Sequence, residues 1–176
     1  MPGKRGNSFQ LPEIRSVESV TYREFVEYAK DFVRKIGESF KDPEDDWEPV
    51  ALIKGDEGIA LVGLVLDKAH WPEVVSAIVK KTKATKVALI TSSWGLEFTS
   101  SEEYDAYMAD DDAPSPSKHP NGVKQVVVNV FDAERVEAWS AKILRDGEQP
   151  PVLGEWDWGG ADPSGRMIDP IRAAMR

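Results

Sequence analysis

The sequence predicts an α+β domain in which helices pack on an antiparallel sheet of about five or six strands. One segment carries apolar residues at helical spacing, and several short runs of β-branched residues are separated by turn signals. Together these segments give the order α-β-β-α-β-β-β-β-α. The chain has 176 residues, of which 41% are hydrophobic and 30% charged, and this is enough to bury one core.

The first predicted element is an amphipathic helix over residues 22–36. Its apolar stripe consists of Phe25, Ala29, Phe32, Val33 and Ile36. Thr21 and Glu24 match the Thr-x-x-Glu capping box, in which each residue bonds the backbone N–H of the other. Gly37 supplies a residue that readily adopts the left-handed conformation at a helix end.

A β-hairpin and a second helix are predicted next. Residues 50–53 and 59–66 are rich in β-branched and aliphatic residues and flank a glycine-containing turn. Because the second run is almost wholly apolar, we expect it to lie centrally in the sheet. Pro72 suits the first turn of a helix, and apolar residues at 74, 75, 78 and 79 predict that this helix covers the hairpin.

The C-terminal half predicts a third strand at 87–91, which continues or kinks toward residue 98, and then a meander. Residues 99–122 are acidic and then rich in proline and serine, so we expect a long loop that is either functional or mobile. Further strands are predicted at 123–131 and 136–144. Two prolines lead into a short edge segment at 152–158, and a terminal helix is predicted within 167–176.

These elements divide the chain into three parts. Residues 1–20 form an N-terminal arm, residues 21–158 a single α+β domain with the long loop at 99–122, and residues 159–176 a C-terminal tail with a short helix. The start of the arm is basic but is followed by polar residues, a pattern that does not predict a signal peptide.

Charge and composition narrow the class of function. The chain carries 31 acidic and 22 basic residues and no cysteine. A net charge of −9 repels phosphate backbones, so we expect no nucleic-acid partner. The lack of sulfur ligands excludes disulfides and cysteine-based zinc sites, and no apolar run approaches the ~20 residues that span a bilayer. We therefore expect a cytoplasmic protein that does not bind membranes, with a virion-associated location as the alternative.

Residues with catalytic potential are few. Ser92 and Ser93 follow an apolar strand, but the glycines of a nucleophile elbow are incomplete there. The acidic segment 102–112 lacks the spacing of a calcium loop, and the two histidines, at positions 70 and 119, are far apart. We therefore expect no catalytic residue, no metal and no cofactor. The alternative is a hydrolase or metal-dependent enzyme with its site near Ser92, Ser93, Glu97 and His119.

Six tryptophans in a chain of this length favour a recognition surface. Trp156 and Trp158 share one face of the predicted edge segment, with Glu155 and Asp157 on the other face. That pair belongs either to the core or to a docking surface. The candidate interaction residues are Trp156, Trp158 and Trp94.

Two resemblances accompany these expectations. In element order alone, the chain resembles the profilin-like and roadblock-type layouts. The segments Trp47-Glu48-Pro49-Val50 and Ala88-Leu89-Ile90-Thr91-Ser92-Ser93-Trp94 resemble parts of small bacterial and phage proteins of no assigned function. The function predicted from the sequence is a non-enzymatic protein-binding or structural protein that contacts a protein partner or itself, as a component of a phage or bacterial assembly.

Overall fold

A computed structural model of the protein describes residues 20–161 and 167–176. The described part contains four α-helices and six strands. In chain order they are α1 (Tyr22–Glu38), β1 (Val50–Lys54), β2 (Ile59–Gly63), α2 (Trp71–Thr82), β3 (Lys86–Leu96), α3 (Ser101–Ala109), β4 (Gly122–Phe131), β5 (Val136–Leu144), β6 (Val152–Ala161) and α4 (Ile168–Ala174).

All six strands form one antiparallel sheet in the order β2-β1-β3-β4-β5-β6. The predicted α+β class and element order are confirmed. The expectation that the run beginning at Ile59 is central is wrong, because β2 is an edge strand. Its apolar character has another cause, since Ala60 and Val62 pack against one core and Ile59 against the other.

The sheet has a face on each side, and each face packs against different helices. The α1 face contacts α1 through residues such as Leu52, Ile90 and Val128. The α2 face contacts α2 and α4 through residues such as Ile53, Leu89 and Phe131. Successive residues of a strand point to opposite faces, so each strand contributes to both cores. The result is a three-layer structure with α1 on one side of the sheet and α2 and α4 on the other.

Helix α1 begins as the capping motif predicts. The backbone N–H of Glu24 donates to Thr21 Oγ1 at 3.2 Å, and the backbone N–H of Thr21 donates to the Glu24 carboxylate at 3.4 Å. The predicted anchor Phe32 is buried. This helix lies across β3, β4 and β6.

The segment between β3 and β4 differs from the loop expected there, because it contains α3. Ser100 caps this helix by accepting from the backbone N–H of Glu103, and the Glu103 carboxylate accepts from Thr99. Phe98 packs against Tyr107 of α3 with ring centroids 5.6 Å apart. A local cap and a cluster of ring contacts among Phe98, Tyr104, Tyr107 and His119 stabilise this segment despite its polar composition.

Most of the predicted N-terminal arm lies outside the described residues, and so do residues 162–166 of the predicted C-terminal tail, whereas residues 159–161 belong to β6. Val20, the last residue of the arm, is buried, and a short C-terminal helix is present as α4. No described helix combines the length and the apolar character that crossing a bilayer requires.

Candidate interaction surface

Strand β6 forms the second edge of the sheet, as the sequence predicts for this segment. It runs for ten residues and, among the described strands, pairs with β5 alone. In an antiparallel sheet, alternate residues of an edge strand direct their backbone N–H and C=O groups away from the sheet. β6 therefore presents a row of backbone donors and acceptors on which a further strand can pair.

The side chains of β6 alternate in chemistry between the two faces of the sheet. Trp156 lies opposite Ala141 and Trp158 opposite Trp139, and these residues belong to the α1 face. Glu155 and Asp157 lie on the α2 face, and both are exposed. The centre of this edge is thus aromatic on one face and acidic on the other.

The two tryptophans of β6 differ in burial. Trp156 is partly buried and packs against the core beneath α1. Trp158 is 60% exposed, which is unusual for an indole ring and costs free energy because its apolar surface stays in water. The pair is therefore part core and part surface, and Trp158 is the member that a partner can reach.

The two indole rings next to Trp158, those of Trp139 and Trp156, lack hydrogen-bond acceptors among the described residues. The indole N–H groups of Trp139 and Trp156 are buried, and neither has an acceptor among the described residues. A buried donor without an acceptor costs about 1–3 kcal/mol. The ammonium group of Lys30 lies 3.4 Å from the centroid of the Trp139 ring and supports this ring from α1.

No helix of the described ranges covers the α2 face of the sheet between α2, α4 and the β6 edge. Its side chains there are mostly small or polar and are partly exposed: Thr91, Ser93, Gln125, Val127, Asn129 and Ser140. Lys142 forms an ion pair with Glu97, and this contact raises the pKa of the lysine, with a smaller contribution from Asp157. Glu155 has no cation within 4.0 Å among residues 20–161 and 167–176.

Trp94, the third candidate, is not part of this surface. It lies on β3 opposite Lys124 and is 46% exposed. Across the sheet, Trp158 pairs with Trp139, Trp139 with Val128, and Val128 with Ile90 of β3. Trp94 lies four residues beyond Ile90 on β3, so it is three strands and four residues from Trp158. With ordinary strand spacing and rise, this separation is roughly 20 Å.

The four residues of the alternative enzyme site do not form a catalytic arrangement among the described residues, although Glu97 and His119 lie in neighbouring segments, where the backbone N–H of Glu97 donates to the carbonyl of Asn121. Ser92 lies on the α1 face and Ser93 on the α2 face. The Glu97 carboxylate pairs with Lys142, and His119 Nδ1 accepts from the backbone N–H of Asn121 at 3.0 Å. A nucleophile and its base must share a hydrogen bond or one water, and within the described ranges no hydrogen bond joins any two of these four side chains.

Two depressions among the described residues are lined by side chains other than these four. Depressions of about 480 and 580 Å³ lie at the β1–β2 turn and beside the 42–45 loop. In the described part of the chain, no three His, Asp or Glu side chains are grouped so as to hold a metal ion.

Sequence reasoning identified the two β6 tryptophans and their acidic neighbours but missed two features of this surface. Trp139 lies beside Trp158 on the same face, and its contact with Lys30 joins residues that are far apart in the chain. The alternation Glu-Trp-Asp-Trp was visible in the sequence. The residues that pack against these β6 side chains could not be read from the sequence, because they depend on strand pairing. Comparison with protein-family models, with curated proteins and with solved structures gave no match to this chain.

Proposed function

We propose that this chain is a non-enzymatic protein-binding protein that takes up an extended, basic segment of a partner protein as a seventh strand beside β6. The observation that carries the proposal is a ten-residue edge strand with an exposed indole on one face and two exposed carboxylates on the other. Strand addition of this kind obtains affinity from main-chain hydrogen bonds and specificity from alternate side chains.

The side-chain alternation specifies the chemistry of the incoming strand. On the α2 face, Glu155 and Asp157 stand where cross-strand neighbours of opposite charge are favoured. On the α1 face, Trp158 offers apolar surface to a β-branched, aromatic or arginine side chain. A segment that alternates basic and apolar residues satisfies both faces at once.

The same charges disfavour pairing of two copies through this edge. If two copies paired their β6 strands antiparallel about a two-fold axis at Trp156, Glu155 of each copy would lie opposite Asp157 of the other. Like charges directly opposite each other destabilise a strand pair. The edge therefore discriminates between a basic partner and a second copy of this chain.

The decisive experiment uses the synthetic peptide TKVKVKVKT as the probe and follows backbone amide resonances of the full chain by NMR. We expect saturable shifts centred on β6, and none with the acidic control peptide TEVEVEVET. The variant Trp158→Ala should weaken binding at least about tenfold, as expected for a central aromatic contact. The matched variant Trp94→Ala, which changes an exposed indole elsewhere, should leave it unchanged.

Strand addition is distinguished from charge attraction by N-methylation of the peptide. Only alternate residues of the added strand direct their N–H groups toward β6. Two versions of the peptide are compared, one with its backbone nitrogens methylated at odd positions and one at even positions. One version should lose binding to the protein and the other should keep it. Equal binding by both peptides, or equal loss, contradicts the proposal.

Two further expectations from the sequence concern context and chemistry. A component of a bacterial or phage assembly would use such a contact, and that role, together with a cytoplasmic or virion-associated location, stays a prediction. The enzyme alternative lacks an arrangement that unites Ser92, Ser93, Glu97 and His119 among the described residues, and we do not propose it.

A further inference from the structure

Two lysines are buried in the described part of the structure, and their surroundings differ. Lys30 is 9% exposed, pairs with Glu27 at 3.4 Å and lies over the Trp139 ring. Lys54 is 6% exposed and has neither a carboxylate within 4.0 Å nor a ring beneath it among the described residues. Its ammonium donates to the carbonyl of Gly55. A buried cation without a counter-charge is costly, so this position requires an explanation.

The nearest cross-strand neighbour of Lys54 increases that cost. In the antiparallel β1–β3 pair, Lys54 lies directly opposite Lys86. Both residues are in register with the α1-face positions Leu52 and Ala88, so both side chains leave the sheet on the same face. Side chains opposite each other start about 4.5–5.5 Å apart at Cβ, and like charges there repel.

The charged groups near this pair do not neutralise it. Burial and the charge of Lys54 lower the pKa of Lys86, while Asp132 raises it and Arg135 lowers it. The Asp132 carboxylate is occupied by Arg135, which lies 3.3 Å away, and by two backbone N–H groups. The charged groups that act on Lys86 are thus two cations, Lys54 and Arg135, and one anion, Asp132, in a chain whose net charge is −9.

We propose that Lys54 and Lys86 together bind a small oxyanion of the phosphate or sulfate type. Such an ion has several oxygens on one centre, so it accepts hydrogen bonds from both ammonium groups and offsets their repulsion. Lys86 is partly exposed, whereas Lys54 is not, so the ion enters from the Lys86 side. This site lies on β1 and β3, separate from the β6 edge, and stands independently of the proposed function.

The test is a titration of the full chain with inorganic phosphate at constant ionic strength, in which chloride replaces phosphate in the control series. Amide and lysine side-chain resonances are followed by NMR. We expect saturable shifts around Lys54 and Lys86 with phosphate alone. The variant Lys86→Met should weaken binding at least about tenfold, because one charged hydrogen bond is lost.

A matched control separates this site from general attraction by lysines. Lys80→Met removes an exposed lysine from the last turn of α2 and should change phosphate affinity less than about twofold. Phosphate should also raise the pKa of Lys86, measured from its side-chain resonances. Equal responses to phosphate and chloride would overturn the proposal, and so would unchanged affinity in a folded Lys86→Met protein.

Discussion

The two edges of the sheet are built differently. β2 has five residues, and its side chains Ile59, Ala60 and Val62 pack against the two cores. The backbone N–H of the following residue, Leu64, donates to the carbonyl of Pro49. β6 has ten residues, its α2 face carries exposed carboxylates, and no helix in the described part of the chain covers that face. A short edge offers little backbone to a passing strand, whereas a long edge relies on its side chains to select what pairs with it. The comparison is consistent with a structural role for β2, and the recognition role of β6 is the one proposed above.

The largest expected effect concerns the packed end of the sheet. Leu52 on β1 is fully buried, so Leu52→Ala should lower the free energy of unfolding by about 2–5 kcal/mol through lost transfer energy and a cavity. Leu144→Ala, at a half-exposed position on β5, should change it by less than about 0.5 kcal/mol. Urea unfolding measures the free energy of unfolding of both variants, which are compared where their dependence on urea concentration is the same. Similar losses at the two positions would remove the distinction between the ends.

The second prediction separates the two tryptophans of the long edge. Trp156→Ala removes a partly buried ring and should cost about 1–3 kcal/mol in the free energy of unfolding, less than a fully buried indole. Trp158→Ala should cost less than about 0.5 kcal/mol, because its ring is mostly in water. Both variants are compared by thermal and urea unfolding. A larger loss for Trp158→Ala would identify that residue as structural.

The smallest effect concerns the charges of β6. The double variant Glu155→Thr with Asp157→Thr removes the like-charge oppositions of a two-copy strand pair, each of which costs roughly 0.2–1 kcal/mol. We expect weak self-association at high protein concentration in sedimentation experiments, together with weaker binding of the basic peptide. An unchanged monomer that still binds this peptide with the parent affinity would show that the carboxylates do not select the partner.

Several parts of this structure were predictable because their causes are local. The capping box of α1 involves residues three apart, and the alternation of Trp156 and Trp158 with acidic residues follows from strand geometry alone. The double proline before Val152 predicted an edge strand, since proline cannot donate to a ladder. The helix α3 was also local, but its polar composition concealed the cap formed by Ser100 and Glu103.

Other parts depended on pairing over long distances in the chain. The apolar character of residues 59–63 predicted a central strand, and only the sheet order showed that β2 is an edge with both faces packed. The separation of Trp94 from Trp158 follows from the register of four strands. The opposition of Lys54 and Lys86 arises where β1 meets β3. No local pattern encodes any of these neighbours.

The sequence by itself therefore determined the fold class, the order of the elements and the alternation of tryptophan and carboxylate along the last strand. These follow from the periodicity of side chains about a helix or strand and from caps and turns, which act over a few residues. The tertiary structure decided that β2 is the other edge, which tryptophan is exposed and which lysine lacks a counter-charge among the described residues. These depend on which distant segments pair, because burial and electrostatic environment are set by neighbours in space.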